Sequence, residues 1–177
     1  GVFDKVRDAV FAREPDDGTT VMLQMTVTRE NAPGIEAFVE NDLAWLASVG
    51  ARVLVSIAGN TAAEFGEVAA CLADSPAFAA VVGVEVNISC PNVANRGLVF
   101  ACDPVSSDAV VRLVRDKLPA ATPIFAKLTP DVTDIVTIAD AALGAGADGL
   151  TMINTLLGMV IDTDLLRPQL AGVTGGL

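Results

Sequence analysis

The sequence predicts a parallel α/β fold. Three observations carry that prediction. Short β-branched runs alternate with amphipathic helical stretches from residue 35 onward, the runs are apolar on both faces, and polar side chains collect at their carboxyl ends.

The elements follow in order. "IEAFVENDLAWLASVG" places Ile35, Phe38, Val39, Leu43, Leu46 and Ala47 on one helical stripe, stops at Gly50, and hands over to a strand, "RVLVSI", at 52–57. "TAAEFGEVAACLA" is a helix with Thr61 as cap and Glu64 three residues on, the spacing of a capping box. "VVGVEVNI" at 81–88 is the next strand, followed by an irregular stretch to Asp103 that is long for a connection of this kind. Pro104 suits the first turn of a helix through "VSSDAVVRLVRDKL", with Asp103 as its cap. "PIFAKL" at 123–128 is a strand, "TDIVTIADAALGAG" a helix closed by glycine, and "ADGLTMIN" a fourth strand. Strands joined by helices in this way pair in parallel through right-handed crossovers. Two architectures satisfy the pattern: a complete small open sheet, or about half of an eight-stranded barrel, which needs about 250 residues.

Composition narrows the function. The 177 residues suffice for one core of ordinary domain size, and 52% of them are hydrophobic, with a mean hydropathy of +0.54. Acidic residues number 22 against 11 basic ones, giving a net charge of −11 and no basic cluster to neutralise a nucleic-acid backbone. Apolar stretches are too short for a membrane-spanning helix of about 20 residues. No basic segment followed by an apolar run opens the chain. Cysteines at 71, 90 and 102 form no C-x-x-C pair, which fits a reducing, cytoplasmic setting and argues against a metal or iron–sulfur site held by this chain. With no histidine, the usual general base is missing.

The polar residues at the strand ends are Asn87, Ser89, Cys90 and Asn92 after "VEVNI", Lys127 in "PIFAKL", and Asn154 and Thr155 after "ADGLTMI". In parallel α/β folds this edge binds ligands, because loops and helix N-termini converge there. A lone cysteine is more often a small hydrophobe, and Cys71 and Cys102 read that way. A lysine in a buried strand needs an anionic or carbonyl-rich partner, since an unpaired ammonium there costs several kcal/mol. "GAGADG" at 144–149 imitates a dinucleotide fingerprint, but its glycines end a helix and precede a strand, the reverse of what phosphate binding requires, so it is connective. "TGG" at 174–176 is better placed for cofactor contact.

"VEVNISCPNVANRGLVFACDP", "PIFAKLTPDVTDIVTIADAALGAGADGLTMINTLLGMVID" and "LAGVTGGL" together resemble the catalytic subunit of dihydroorotate dehydrogenases, specifically the soluble class 1 enzymes that couple to NAD, of class 1B type. The resemblance is strong over 33–177 and weak over 1–32. It implies a TIM (β/α)8 barrel that binds FMN at the carboxyl ends of its strands, of which 1–177 would be about the central half. It further implies oxidation of (S)-dihydroorotate to orotate in pyrimidine biosynthesis. By match, Cys90 is the general base that takes the proton from carbon 5 while hydride leaves carbon 6 for the flavin. Membrane-associated relatives carry serine at that place. Asn87, Asn92, Asn154 and Thr155 match residues that hold the pyrimidine ring. Lys127 matches a flavin-contacting lysine, Ile153 would pack near the flavin, and Gly175 and Gly176 match a loop whose backbone approaches it. The same resemblance implies a partner subunit carrying FAD and a [2Fe-2S] cluster that passes electrons to NAD, and a dimer of catalytic subunits.

One stretch departs from the family pattern. Where the family has M-L-N-x-x-G-L-x-N-x-G, this chain has "MLQMTVTRENAPG", so Gln24 stands in place of a substrate-binding asparagine and the Gly-Leu pair is missing. The longer side chain at 24 displaces the ring unless the loop moves. This departure keeps two other readings open: a flavoenzyme similar to dihydropyrimidine dehydrogenase, and a non-catalytic flavin- or metabolite-binding barrel.

Overall fold

The computed structural model describes residues 26–27, 32–89, 100–169 and 175–176. Five parallel strands form one sheet in the order β1 (Thr26–Val27), β2 (Val53–Ile57), β3 (Val81–Val86), β4 (Ile124–Lys127) and β5 (Gly149–Thr151). Each strand lies beside its neighbour in the chain, and β5 sits at the edge opposite β1. A doubly wound open sheet reverses direction at a switch point; a barrel winds one way only. The uninterrupted order therefore decides for part of a barrel.

The first helix begins at Ala32, earlier than its apolar stripe suggests. It runs as α1 (Ala32–Ala37), loosens into a π-helical turn (Phe38–Leu43), and resumes as α2 (Ala44–Ser48). Then come α3 (Ala62–Ala73), α4 (Pro104–Lys117) and α5 (Ile135–Gly144). The predicted caps form. Thr61 Oγ1 accepts from Glu64 N at 3.2 Å, and Asp103 Oδ2 accepts from Ser106 N at 2.8 Å with Pro104 in the first turn. The Glu64 carboxylate reaches back to the N–H of Asn60 at 2.8 Å, one residue before the cap.

Two periodicities divide the sheet between its faces. Val53, Val55 and Ile57, Val84, Val86 and Ile88, and Ile124, Ala126 and Leu128 are buried in one cluster with Phe65, Val68, Ala69 and Leu72 of α3 and Val110, Val111 and Val114 of α4. Phe65 meets Phe100 edge to face, with ring centroids 5.8 Å apart. The intervening residues, Leu54 and Ser56, Gly83 and Glu85, and Phe125 and Lys127, line the concave face. There the Phe125 ring occupies the space that β-carbons at Gly83 and Gly149 would need, at 3.2 and 3.0 Å.

Three features differ from the sequence reading. Thr26–Val27, in the stretch read as a loop, is the first strand. The fourth strand stops at Thr151. The segment beyond it folds into two antiparallel ladders, β6 (Leu157–Gly158) with β9 (Gly175–Gly176), and β7 (Ile161–Asp162) with β8 (Arg167–Pro168). Pairs of two residues leave no periodicity to read. "GAGADG" is connective as expected: it closes α5, and Gly146 adopts a φ of +107° that favours glycine.

Candidate functional site

The carboxyl ends of β2 to β5 bring together side chains that lie far apart in sequence. Ser56, Glu85 and Phe125 share one row of the concave face, because Ser56 pairs with Glu85 and Glu85 with Phe125 in the ladder. Ser56 Oγ donates to Glu85 Oε1 at 2.8 Å, and both residues are buried. One step toward the rim, past the pair Val86–Ala126, stand Asn87 and Lys127, with Thr151 opposite Lys127 on β5. Thus Asn87 and Lys127 open on the rim above a buried carboxylate.

Backbone bonds hold the rim residues at fixed heights. Asn87 N donates to Ile57 O at 2.9 Å, which extends the β2–β3 ladder beyond β3. Leu128 N donates to Thr151 O at 3.1 Å and Asn154 N to Leu128 O at 2.8 Å, so the chain after β5 turns back over the end of β4. From there Asn154 Nδ2 donates to Ser89 O at 2.5 Å, and Asn154 Oδ1 accepts from Thr155 N at 2.8 Å. Ser89 Oγ donates to Asn87 Oδ1 at 2.9 Å. A chain of hydrogen bonds therefore crosses from β3 to the segment after β5, spanning the end of β4. Beside it, the β6–β9 ladder sets Gly176 against Thr155 so closely that a β-carbon at 176 would overlap Thr155 Cγ2.

Of the residues singled out from the sequence, Asn87, Lys127, Asn154, Thr155, Gly175 and Gly176 gather at this rim. Ile153 is half-buried against the apolar core. Gln24, Cys90 and Asn92 lie outside the described residues. Sequence reasoning gave no role to Ser56, Glu85 or Ser89, although a glutamate within the apolar run "VVGVEVNI" is itself a signal that the strand has one polar, inward face.

Several titratable groups outside the rim are shifted by their immediate surroundings. The Asp103 carboxyl is held below the usual carboxylate range, first by the Ser106 hydroxyl and then by backbone N–H groups. Asp134 caps α5 and is lowered in the same way, by Thr137 first. Burial pushes the Cys71 thiol up, with Glu36, Asp74 and Glu40 adding to it. Among the described residues no three potential ligands cluster as a metal site, and no helix is long and apolar enough to cross a membrane.

The family model for dihydroorotate dehydrogenase matches residues 25–177. A protein of Geobacter sp. (strain M21), named dihydroorotate dehydrogenase B (NAD(+)), catalytic subunit, is 51% identical over 144 residues, which are 81% of this chain and 46% of that protein. Proteins of the same name from Desulforudis audaxviator and Geobacillus kaustophilus are 51% and 46% identical over 145 residues, 82% of this chain in each case and 46% and 45% of those proteins. The chain spans about half the length of these relatives, and residues 25–177, matched by the family model, include β1 to β5 and the polar rim. With strands wound in one direction and the family model matching most of its length, the chain belongs to the dihydroorotate dehydrogenase family and is similar to the catalytic subunits of class 1B type.

Proposed function

We propose that the full-length protein oxidises (S)-dihydroorotate to orotate with FMN as its flavin. The observation that carries this reading is the hydrogen-bonded rim Asn87–Ser89–Asn154 across the end of β4, the strand that ends in Lys127. It offers carboxamides to a small ring of C=O and N–H groups beside a cation suited to an electron-rich flavin. The residues fit FMN: Lys127 stands on the concave face at the end of β4, and Gly175 and Gly176 form a strand with no side chains to hinder approach to Thr155. When bound, FMN supplies the hydride acceptor.

The chain's own residues do the rest. Asn87, Asn92, Asn154 and Thr155 hold the pyrimidine and its carboxylate. Cys90, as thiolate, removes the proton from carbon 5; as hydride departs from carbon 6, the C5–C6 double bond forms and the thiolate becomes a thiol. A free thiol of pKa about 8.5 is a modest base, so it works through contact with the substrate rather than through a histidine partner. Lys127 would contact the flavin and supply a positive charge, which favours flavin reduction.

Electrons leave through a separate FAD and [2Fe-2S] subunit that reduces NAD, around a dimer of catalytic subunits. The relatives' printed name, a catalytic subunit, supports a further subunit.

The experiment is a flavin-absorbance titration of the full-length protein with orotate. Perturbation of the flavin spectrum at micromolar to millimolar orotate is expected. No perturbation at millimolar orotate defeats the substrate while leaving the barrel and its flavin in place. The same titration reads the departure at Gln24. Gln24→Asn keeps or improves orotate binding if the loop still faces this substrate, and does nothing for it if the loop serves another ligand.

A further inference from the structure

Glu85 is 3% exposed, on the concave face of a strand whose other residues are valine or glycine. Ser56, buried beside it on β2, donates to Oε1 at 2.8 Å and fixes that oxygen in place. A buried carboxylate is costly even when it is hydrogen-bonded, so its presence in a core strand points to a use beyond packing. The reaction assigned to the rim gives it none.

Its place in the ladder supplies one. Glu85 pairs with Phe125, and Lys127 follows two residues further along β4, so the two charged side chains leave the same face of neighbouring strands one layer apart. Strands about 4.8 Å apart that rise about 3.3 Å per residue set the two α-carbons roughly 8 Å from each other. On the side away from the rim, the Phe125 ring reaches over Gly83, where a β-carbon would meet it at 3.2 Å. With an apolar ring below it, the carboxylate is screened least in the direction of the rim.

We propose that Glu85 tunes the reduction potential of the flavin, its negative charge opposing the positive charge of Lys127. The ammonium at the end of β4 favours the electron-rich reduced flavin, and the carboxylate one layer below offsets part of that preference. The balance leaves a flavin that accepts hydride and still releases its electrons readily to the next acceptor. This rests on the FMN reading and deepens it.

The test is the midpoint potential of FMN in the full-length protein, measured by equilibrium reduction against a reference dye. Glu85→Gln removes the charge and keeps an acceptor for Ser56. It is expected to raise the potential, with a gain of at least about tenfold in the two-electron reduction equilibrium, or about 30 mV. Glu85→Asp, which keeps the charge, is expected to stay within about threefold of the wild-type equilibrium. Glu85→Met, uncharged and of similar size, covers the case in which the glutamine variant does not fold, and is expected to raise the potential likewise. A merely structural glutamate would lower FMN content or stability in these variants and leave the potential where it was. That result overturns the proposal, as does an aspartate variant that shifts as far as the glutamine one. Wild-type protein that takes up no FMN defeats the flavin reading itself, and the proposal with it.

Discussion

The two ends of the same strands are built on different principles. At the amino-terminal end, Arg115 in the last turn of α4 donates to Gly146 O at 3.0 Å, Thr122 O at 2.9 Å, Ala120 O at 3.4 Å and Asp148 Oδ2 at 2.5 Å. Asp148 Oδ2 also accepts from Ile124 N at 2.8 Å, while Asp148 N donates to Ile124 O at 2.7 Å. One guanidinium thus ties the end of α4, the start of β4 and the turn before β5, and its donors face the protein's own acceptors. At the carboxyl-terminal end the carboxamide oxygens of Asn87 and Asn154 each accept one hydrogen bond and Asn154 Nδ2 donates one, while further N–H groups are left over. The difference teaches where stability and function divide: the floor is closed upon itself, and the rim is satisfied only halfway, which is the condition of a binding site.

The largest expected effect tests the floor. Arg115→Ala should cost about 2–3 kcal/mol, read as a lowered urea midpoint, because it removes charge-assisted bonds from a largely buried fork. Arg115→Lys should recover little, since an ammonium cannot reproduce the fork. Orotate affinity should stay within about twofold; a large loss would break the division between floor and rim. Next in size, Asn154→Ala should weaken orotate about five- to two-hundred-fold, the worth of roughly 1–3 kcal/mol for a hydrogen bond in a closed site, with a smaller loss of stability than at Arg115. Gly176→Ala sharpens the comparison further. Its new methyl meets Thr155 Cγ2, and about 1 kcal/mol of crowding should appear as weaker orotate binding that Thr155→Ser restores by removing that atom.

The smallest effect is acidic. The folded-state pKa values of Asp103 and Asp134 lie below their unfolded values, so their charged caps contribute above the unfolded value of about 3.9 and are lost as pH falls through the folded values. The double variant Asp103→Asn, Asp134→Asn should show a constant deficit in Tm between pH 5 and 8 that shrinks below about pH 4.

Legibility in the sequence followed the same division. The core strands and the caps at Thr61 and Asp103 were readable because each depends on a local pattern of burial or on one side chain near its own helix. The floor clamp was not, since Arg115 and Asp148 stand 33 residues apart and each looks like an ordinary surface charge. Asn87, Lys127 and Asn154 were legible as polar residues at strand ends. Their connection through Ser89 was not, because a bond between positions 65 apart depends on the turn after β5, where the chain leaves the strand sooner than its apolar run suggests.

The most direct test of the account is the rate of flavin reduction by dihydroorotate in a stopped-flow comparison of wild type and Cys90→Ser, both as full-length, FMN-loaded protein. The account predicts a fall of at least about tenfold with bound flavin nearly unchanged, and a wild-type rate that climbs with pH toward the thiol pKa, because only the thiolate accepts the proton. Equal rates at neutral pH would contradict it and remove Cys90 from the role of base.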